Sequence, residues 1–162
     1  MDYKEMLKYD DLVVQSNLDG YYTKRVKINP DDKNEDYNHR RIFVNEVVVD
    51  IDVHSRAIST HIADKIGTRL IADKLSYSDW DTSRSRHLHI FFKNLNIYPK
   101  ETRNLIRKEF LKHYCRGFDE YIDFNKSSED TMIRDFDRTH EKTGKKKTCI
   151  FQYGNWHNEM PK

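Results

Sequence analysis

An α/β fold, with helices laid on a central sheet, is what three features of this sequence predict. The first is a continuous β-branched run, Val47-Val48-Val49, that closes on Asp50-Ile51-Asp52. Such a run suits a strand buried on both faces. The second is the recurrence of Ile58, Ile62, Ile66, Leu70 and Ile71 at helical spacing. The third is another strand-like run, His87 to Phe92, followed by a second helical stripe. The resulting order, β-α-β-β-α-β, belongs to folds in which sheet and helix form two layers.

The elements are justified in turn. Residues 1–28 alternate in polarity, and Asp19-Gly20 between Leu12-Val13-Val14 and Tyr21-Tyr22 is a hairpin signal. Asn29 to Asp36 is a polar, turn-forming loop. A strand runs over 43–52. Ser55 is a helix cap for a helix reaching about Lys74. Strand-like residues follow at Leu75–Ser78, then a loop from Asp79 to Arg86. The His87–Phe92 strand leads to a helix that starts at Pro99, carries Leu105, Ile106, Phe110 and Tyr114, and ends near Cys115 and Gly117. Glu120 to Phe124 reads as a short strand. Ser128-Glu129-Asp130 opens a short helix containing Met132 and Ile133. Thr148 to Tyr153 is the last strand.

At 162 residues one domain over 1–162 is expected, with an N-terminal portion (1–45), a core (46–153) and a tail (154–162). Net charge is +2, so no global basic field exists, and affinity for nucleic acid must come from local patches. No apolar run approaches the ~18 residues a membrane span needs. Met1-Asp2-Tyr3-Lys4-Glu5 lacks the apolar stretch of a signal peptide, so a cytoplasmic or nucleoid-associated protein is expected. Cys115 and Cys149 form no framework and no CxxC, so free thiols in a reduced compartment are expected.

Four segments carry chemistry. Asp50 and Asp52 are two apart at a strand end, so alternation turns both carboxylates to one side. Their repulsion is relieved by a cation, and hard oxygen donors suit Mg²⁺ or Mn²⁺. Asp123 after Tyr121-Ile122 is a third carboxylate for a two-metal centre. His87-Leu88-His89 has two readings. One histidine reaches a triphosphate, or both bind one metal as in rolling-circle replication nickases of the HUH type. Ser83-Arg84-Ser85-Arg86 is a polar loop suited to phosphate. Arg134, Arg138, His140 and Lys142, with Lys145-Lys146-Lys147, form the densest basic stretch. Arginine meets phosphate through a planar fork and lysine as a point charge. The three successive lysines read as a solvated loop before the last strand.

Taken jointly, these segments resemble the archaeo-eukaryotic primase superfamily. Val47-Val48-Val49-Asp50-Ile51-Asp52 is similar to its first motif, Ser83 through His89-Ile90 to its second, and Tyr121-Ile122-Asp123 to its third. Met132-Ile133-Arg134 followed by His140-Glu141-Lys142-Thr143-Gly144 is similar to its last. The resemblance covers roughly residues 44–152. Ser85 and His87 stand where that family has small flexible residues, and Phe136 and Arg138 replace its Pro and Ser.

The resemblance implies an RRM-like β-α-β catalytic core with a small N-terminal α/β portion. It implies Asp50, Asp52 and Asp123 as a catalytic and metal-binding triad for two Mg²⁺ or Mn²⁺ ions. It implies Ser83, His89, Arg134, His140 and Lys142 as nucleotide contacts. The activity implied is template-directed synthesis or extension of primers, with a single-stranded template and nucleoside triphosphates as partners, an accessory subunit or helicase as a further one, and no membrane. Two alternatives stand beside it: the nickase using His87 and His89, and a catalytically silent, primase-like nucleic-acid-binding module.

Overall fold

A computed structural model describes residues 42–92, 95–131, 133 and 145–154. The fold there is mixed α and β. Its elements are β1 (Glu46–Ile51), α1 (Arg56–Ala72), β2 (Tyr77–Asp81), β3 (Arg86–Phe91), α2 (Lys100–Tyr114) and β4 (Thr148–Tyr153). The four strands form one sheet in the order β1-β3-β2-β4, and every neighbouring pair is antiparallel. The N-terminal hairpin signal, Arg134, Arg138, His140 and Lys142 lie outside the described residues.

Pleat alternation divides the sheet chemically. Val47, Val49 and Ile51 of β1, with Leu88 and Ile90 of β3, point to one face. They form the main core with Ile62, Ile66 and Leu70 of α1 and Ile106, Phe110 and Leu111 of α2. Both helices therefore cover the same face. The opposite face carries Glu46, Val48 and Asp50 beside His87, His89 and Phe91. There Val48 is buried against Ile42 and Ile133. This explains the continuous β-branched run: Val48 is as fully enclosed as Val47 and Val49.

The helix signals fall close to where they act. The Ser55 hydroxyl accepts a hydrogen bond from the Ile58 amide at 3.3 Å and so caps α1. Gly117 adopts φ +87°, beyond the end of α2, where a left-handed residue reverses the chain. Leu105, expected in the apolar stripe of α2, is 62% exposed.

Three local expectations need correction. Asp79 belongs to β2 and not to a loop. It is buried because its carboxylate pairs with the Arg86 guanidinium of the neighbouring strand, and the pair neutralises itself. Glu120–Phe124 is not a strand. It holds two short 3₁₀ turns, Asp119–Tyr121 and Phe124–Ser127, around a single bridge residue, Ile122. The Asp123 carboxylate accepts from the Asn125 amide at 3.0 Å, a local bond that competes with a ladder. Residues 128–131 form a turn and not a helix start. The Thr131 amide donates to the Ser128 carbonyl at 3.3 Å.

Arg107 locks α2 to the entry of β1. It is fully buried and donates to the carbonyls of Glu46 at 2.8 Å and of Phe43 and Val44 at 3.0 Å each. It also meets the Glu129 carboxylate at 2.8 Å. Replacing it with methionine removes a donor from three carbonyls and leaves the buried Glu129 carboxylate to Arg103 alone. Arg107→Met is expected to lower stability by about 2–4 kcal/mol. Urea unfolding followed by far-ultraviolet circular dichroism measures this.

Candidate functional site

The site is built around the C-terminal end of β1. On one side of Ile51 stands Arg86 of β3, and on the other stands Ile122. The bridge to Ile122 is closed by two backbone bonds. The Asp123 amide donates to the Asp50 carbonyl at 3.0 Å, and the Asp52 amide donates to the Tyr121 carbonyl at 2.7 Å. Two acids 73 positions apart in the chain thus become neighbours through main-chain register.

Lys126 completes this junction. It lies three residues after Asp123 in the 3₁₀ turn, where side chains at i and i+3 eclipse. Its Nζ is 3.8 Å from an Asp50 oxygen and 3.8 Å from an Asp123 oxygen. Asp52 lies one residue beyond the end of β1, so the period-two expectation no longer governs its direction. It is exposed, and with Asp123, Glu120, Phe124 and Asn125 it lines an open pocket of about 290 Å³.

The opposite neighbour of Asp50 is His87, with Nε2 3.4 Å from the carboxylate. Burial, and after it the Lys147 ammonium, pushes the His87 pKa down to about 4 despite the nearby Asp50. His87 is therefore neutral at pH 7. With its proton on Nε2 facing Asp50, Nδ1 keeps a lone pair, and that atom is buried without a hydrogen-bond partner. Burial alone would raise the pKa of Asp50. Pairing with His87, and the ammonium groups of Lys126 and Lys147, outweigh it and hold the carboxyl below its usual range.

His89, two residues further on the same face, is fully buried. Its Nδ1 is 2.7 Å from a Glu46 oxygen, and its Nε2 is 2.8 Å from the Lys147 ammonium. All three side chains are enclosed. Lys147 is thus no part of a solvated loop, unlike exposed Lys145 and Lys146. A lysine next to an apolar strand gave little sign of this. Its burial follows from a histidine and a glutamate distant in sequence.

Ser83 lies on the other side of the strand end, in the β2–β3 hairpin. Its φ is +70°, the left-handed region that glycine adopts at lower cost. The Asp81 carboxylate holds it there by accepting from the Ser83 amide at 2.7 Å. The hydroxyls of Ser83 and Ser85 are buried and have no hydrogen-bond partner. They line a cleft of about 510 Å³ with His54, Arg56, Arg84 and Arg86. Arg86 is committed to Asp79 and Thr60, whereas Arg84 is exposed. Polar hydroxyls beside arginine are suited to an anion such as phosphate.

Arg134, His140 and Lys142 lie outside the described residues. Among the described residues, no three His, Cys, Asp or Glu side chains form a ready-made metal cage. The carboxylates near this strand end are hard oxygen donors, the type a divalent cation takes. Asp50 and Asp123 already share one positive charge, and Asp52 supplies further hard oxygens on the Asp123 pocket.

The depressed pKa of His87 carries a pH signature. In the folded chain it protonates near pH 4, and in the unfolded chain near its ordinary 6.5. Between these values the unfolded state holds the extra proton, so stability is complete above about pH 6.5 and falls towards pH 4. The contribution at stake is up to about 3 kcal/mol. Melting temperatures in EDTA across this window are expected to fall more steeply for the parent than for His87→Gln.

Comparison with protein-family models, with curated proteins and with solved structures finds no match for this chain.

Proposed function

We propose that this chain is a nucleotidyltransferase of the primase-polymerase type, adding nucleotides to a strand under the direction of a single-stranded template. The observation that carries this reading is the backbone pairing of Asp123 with Asp50, which sets two distant carboxylates side by side around a positive charge. Phosphoryl transfer builds charge on both the attacking and the leaving oxygens, and gathered carboxylates are what would hold the metal cations that offset it.

Asp50, Asp52 and Asp123 would hold Mg²⁺ or Mn²⁺. When bound, such ions ease deprotonation of a 3′-hydroxyl and neutralise the departing pyrophosphate. Ser83 and Arg84, on the far side of the same strand end, would hold the triphosphate. Arg134, His140 and Lys142 are further phosphate contacts in this reading. His89 would serve it as a buried support for the sheet face, because Glu46 and Lys147 engage both its ring nitrogens. The strand succession β1-β3-β2 with both helices on one face agrees with an RRM-like core. β4 adjoins β2, and the edge of β1 is met by the Ile122 segment instead. A single-stranded template and nucleoside triphosphates are the partners, with an accessory subunit or helicase for initiation. Among the described residues, no helix is long and apolar enough to cross a membrane.

The geometry works against the nickase reading. That chemistry needs His87 and His89 on one ion, and the His89 nitrogens face Glu46 and Lys147 instead. A silent binding module predicts template binding without turnover.

The test is incorporation of labelled nucleotides on a single-stranded template with Mn²⁺ or Mg²⁺, with and without a primer. Asp50→Asn and Asp123→Asn are each expected to reduce the rate about 10³-fold or more, with unchanged circular dichroism. Parental rates in Asp50→Asn would sink the reading, and a parent that binds template without incorporation would favour the silent module.

Ser83→Ala is expected to raise the KM for nucleotide several-fold with little change in kcat, because it removes a ground-state contact alone. Steady-state kinetics at fixed template check this.

A further inference from the structure

Lys126 stands between the two carboxylates of the strand junction. Its Nζ is 3.8 Å from Asp50 and 3.8 Å from Asp123, and its side chain is 13% exposed. These distances exceed those of a normal hydrogen bond, so the attraction is one of charge and not of fixed geometry. A lysine stem is flexible and ends in a compact charge, so it can withdraw without unfolding the turn that carries it. A divalent ion bears twice the charge and approaches carboxylate oxygens to about 2.1 Å. The ammonium and the metal compete for the same oxygens.

We infer that Lys126 is a built-in counter-cation that holds Asp50 and Asp123 together until a divalent ion displaces it, and that it thereby sets the metal concentration at which the site loads. This rests on the nucleotidyl-transfer reading. Without Lys126, two adjoining carboxylates would repel each other in the metal-free protein. With it, the metal-free site is stable, and loading requires the ammonium to leave. Lys147 also acts on Asp50, but its ammonium is committed to His89 at 2.8 Å.

The experiment is a Mn²⁺ titration of the full chain, without nucleotide, with free Mn²⁺ read by electron paramagnetic resonance. Lys126→Gln is expected to tighten binding at least about tenfold, the order that bulk-water screening alone leaves to one charge about 4 Å away. Lys126→Arg keeps the charge and should bind no more tightly than the parent. Lys112→Gln removes an exposed lysine that pairs with Glu109 far along α2, and should leave binding unchanged. In the unaltered chain, Mn²⁺ is expected to speed acetylation of Lys126 by acetic anhydride several-fold, as read by mass spectrometry. This second measurement stands even if a variant folds poorly.

If the parent binds Mn²⁺ but Lys126→Gln binds it equally, and acetylation is unmoved by metal, the role given to Lys126 fails and the metal reading survives. Equal tightening in Lys112→Gln would likewise overturn it, as an effect of overall charge. If neither parent nor Lys126→Gln binds Mn²⁺, the metal reading itself fails.

Discussion

A pair of main-chain hydrogen bonds underlies the candidate site. The Asp123 amide reaches the Asp50 carbonyl, and the Asp52 amide reaches the Tyr121 carbonyl, so Ile122 is registered against Ile51. Everything proposed about the acids follows from that register. It brings together groups that electrostatics would drive apart, and the opposition is met locally by Lys126 and by the ring N–H of His87. Backbone pairing supplies position, and neighbouring positive charge makes the position tolerable.

The sheet has two sides of opposite chemistry. One is apolar and lies under α1 and α2. The other carries ionisable groups that are enclosed yet partnered, above all Glu46, His89 and Lys147. A buried charge survives only with partners, so this array constrains the residues around it more sharply than a hydrocarbon core does. Removing one member leaves the others enclosed and short of a partner. Asp50 and His87 sit on this same face, nearer the strand end, where the acidic pocket and the serine-lined cleft open on either side.

Much of the fold was legible in the sequence, because its signals are local. Val47-Val48-Val49 announced a doubly covered strand, Ser55 announced a helix start, and the apolar residues of α1 recur at a helical period. What escaped was set by partners remote in the chain. Asp79 looks like a loop residue until Arg86 is placed beside it. Arg107 and Lys147 look like solvated charges until Glu129 and His89 enclose them. The segment around Ile122 looked like a strand, yet Asp123 folds it by bonding its own neighbour. The carboxylates of the site were readable as types at their positions. The importance of Lys126 was not, because no spacing rule distinguishes it from any other lysine after an acid. The serine with φ +70° was likewise invisible, since the residue itself does not prefer that conformation.

Residue 123 is joined to β1 by its amide, while its side-chain oxygen shapes the turn that follows. An asparagine there keeps both bonds and removes the negative charge. Shape and charge are thus separable at this position, and inheritance of the shape does not by itself carry inheritance of a reaction.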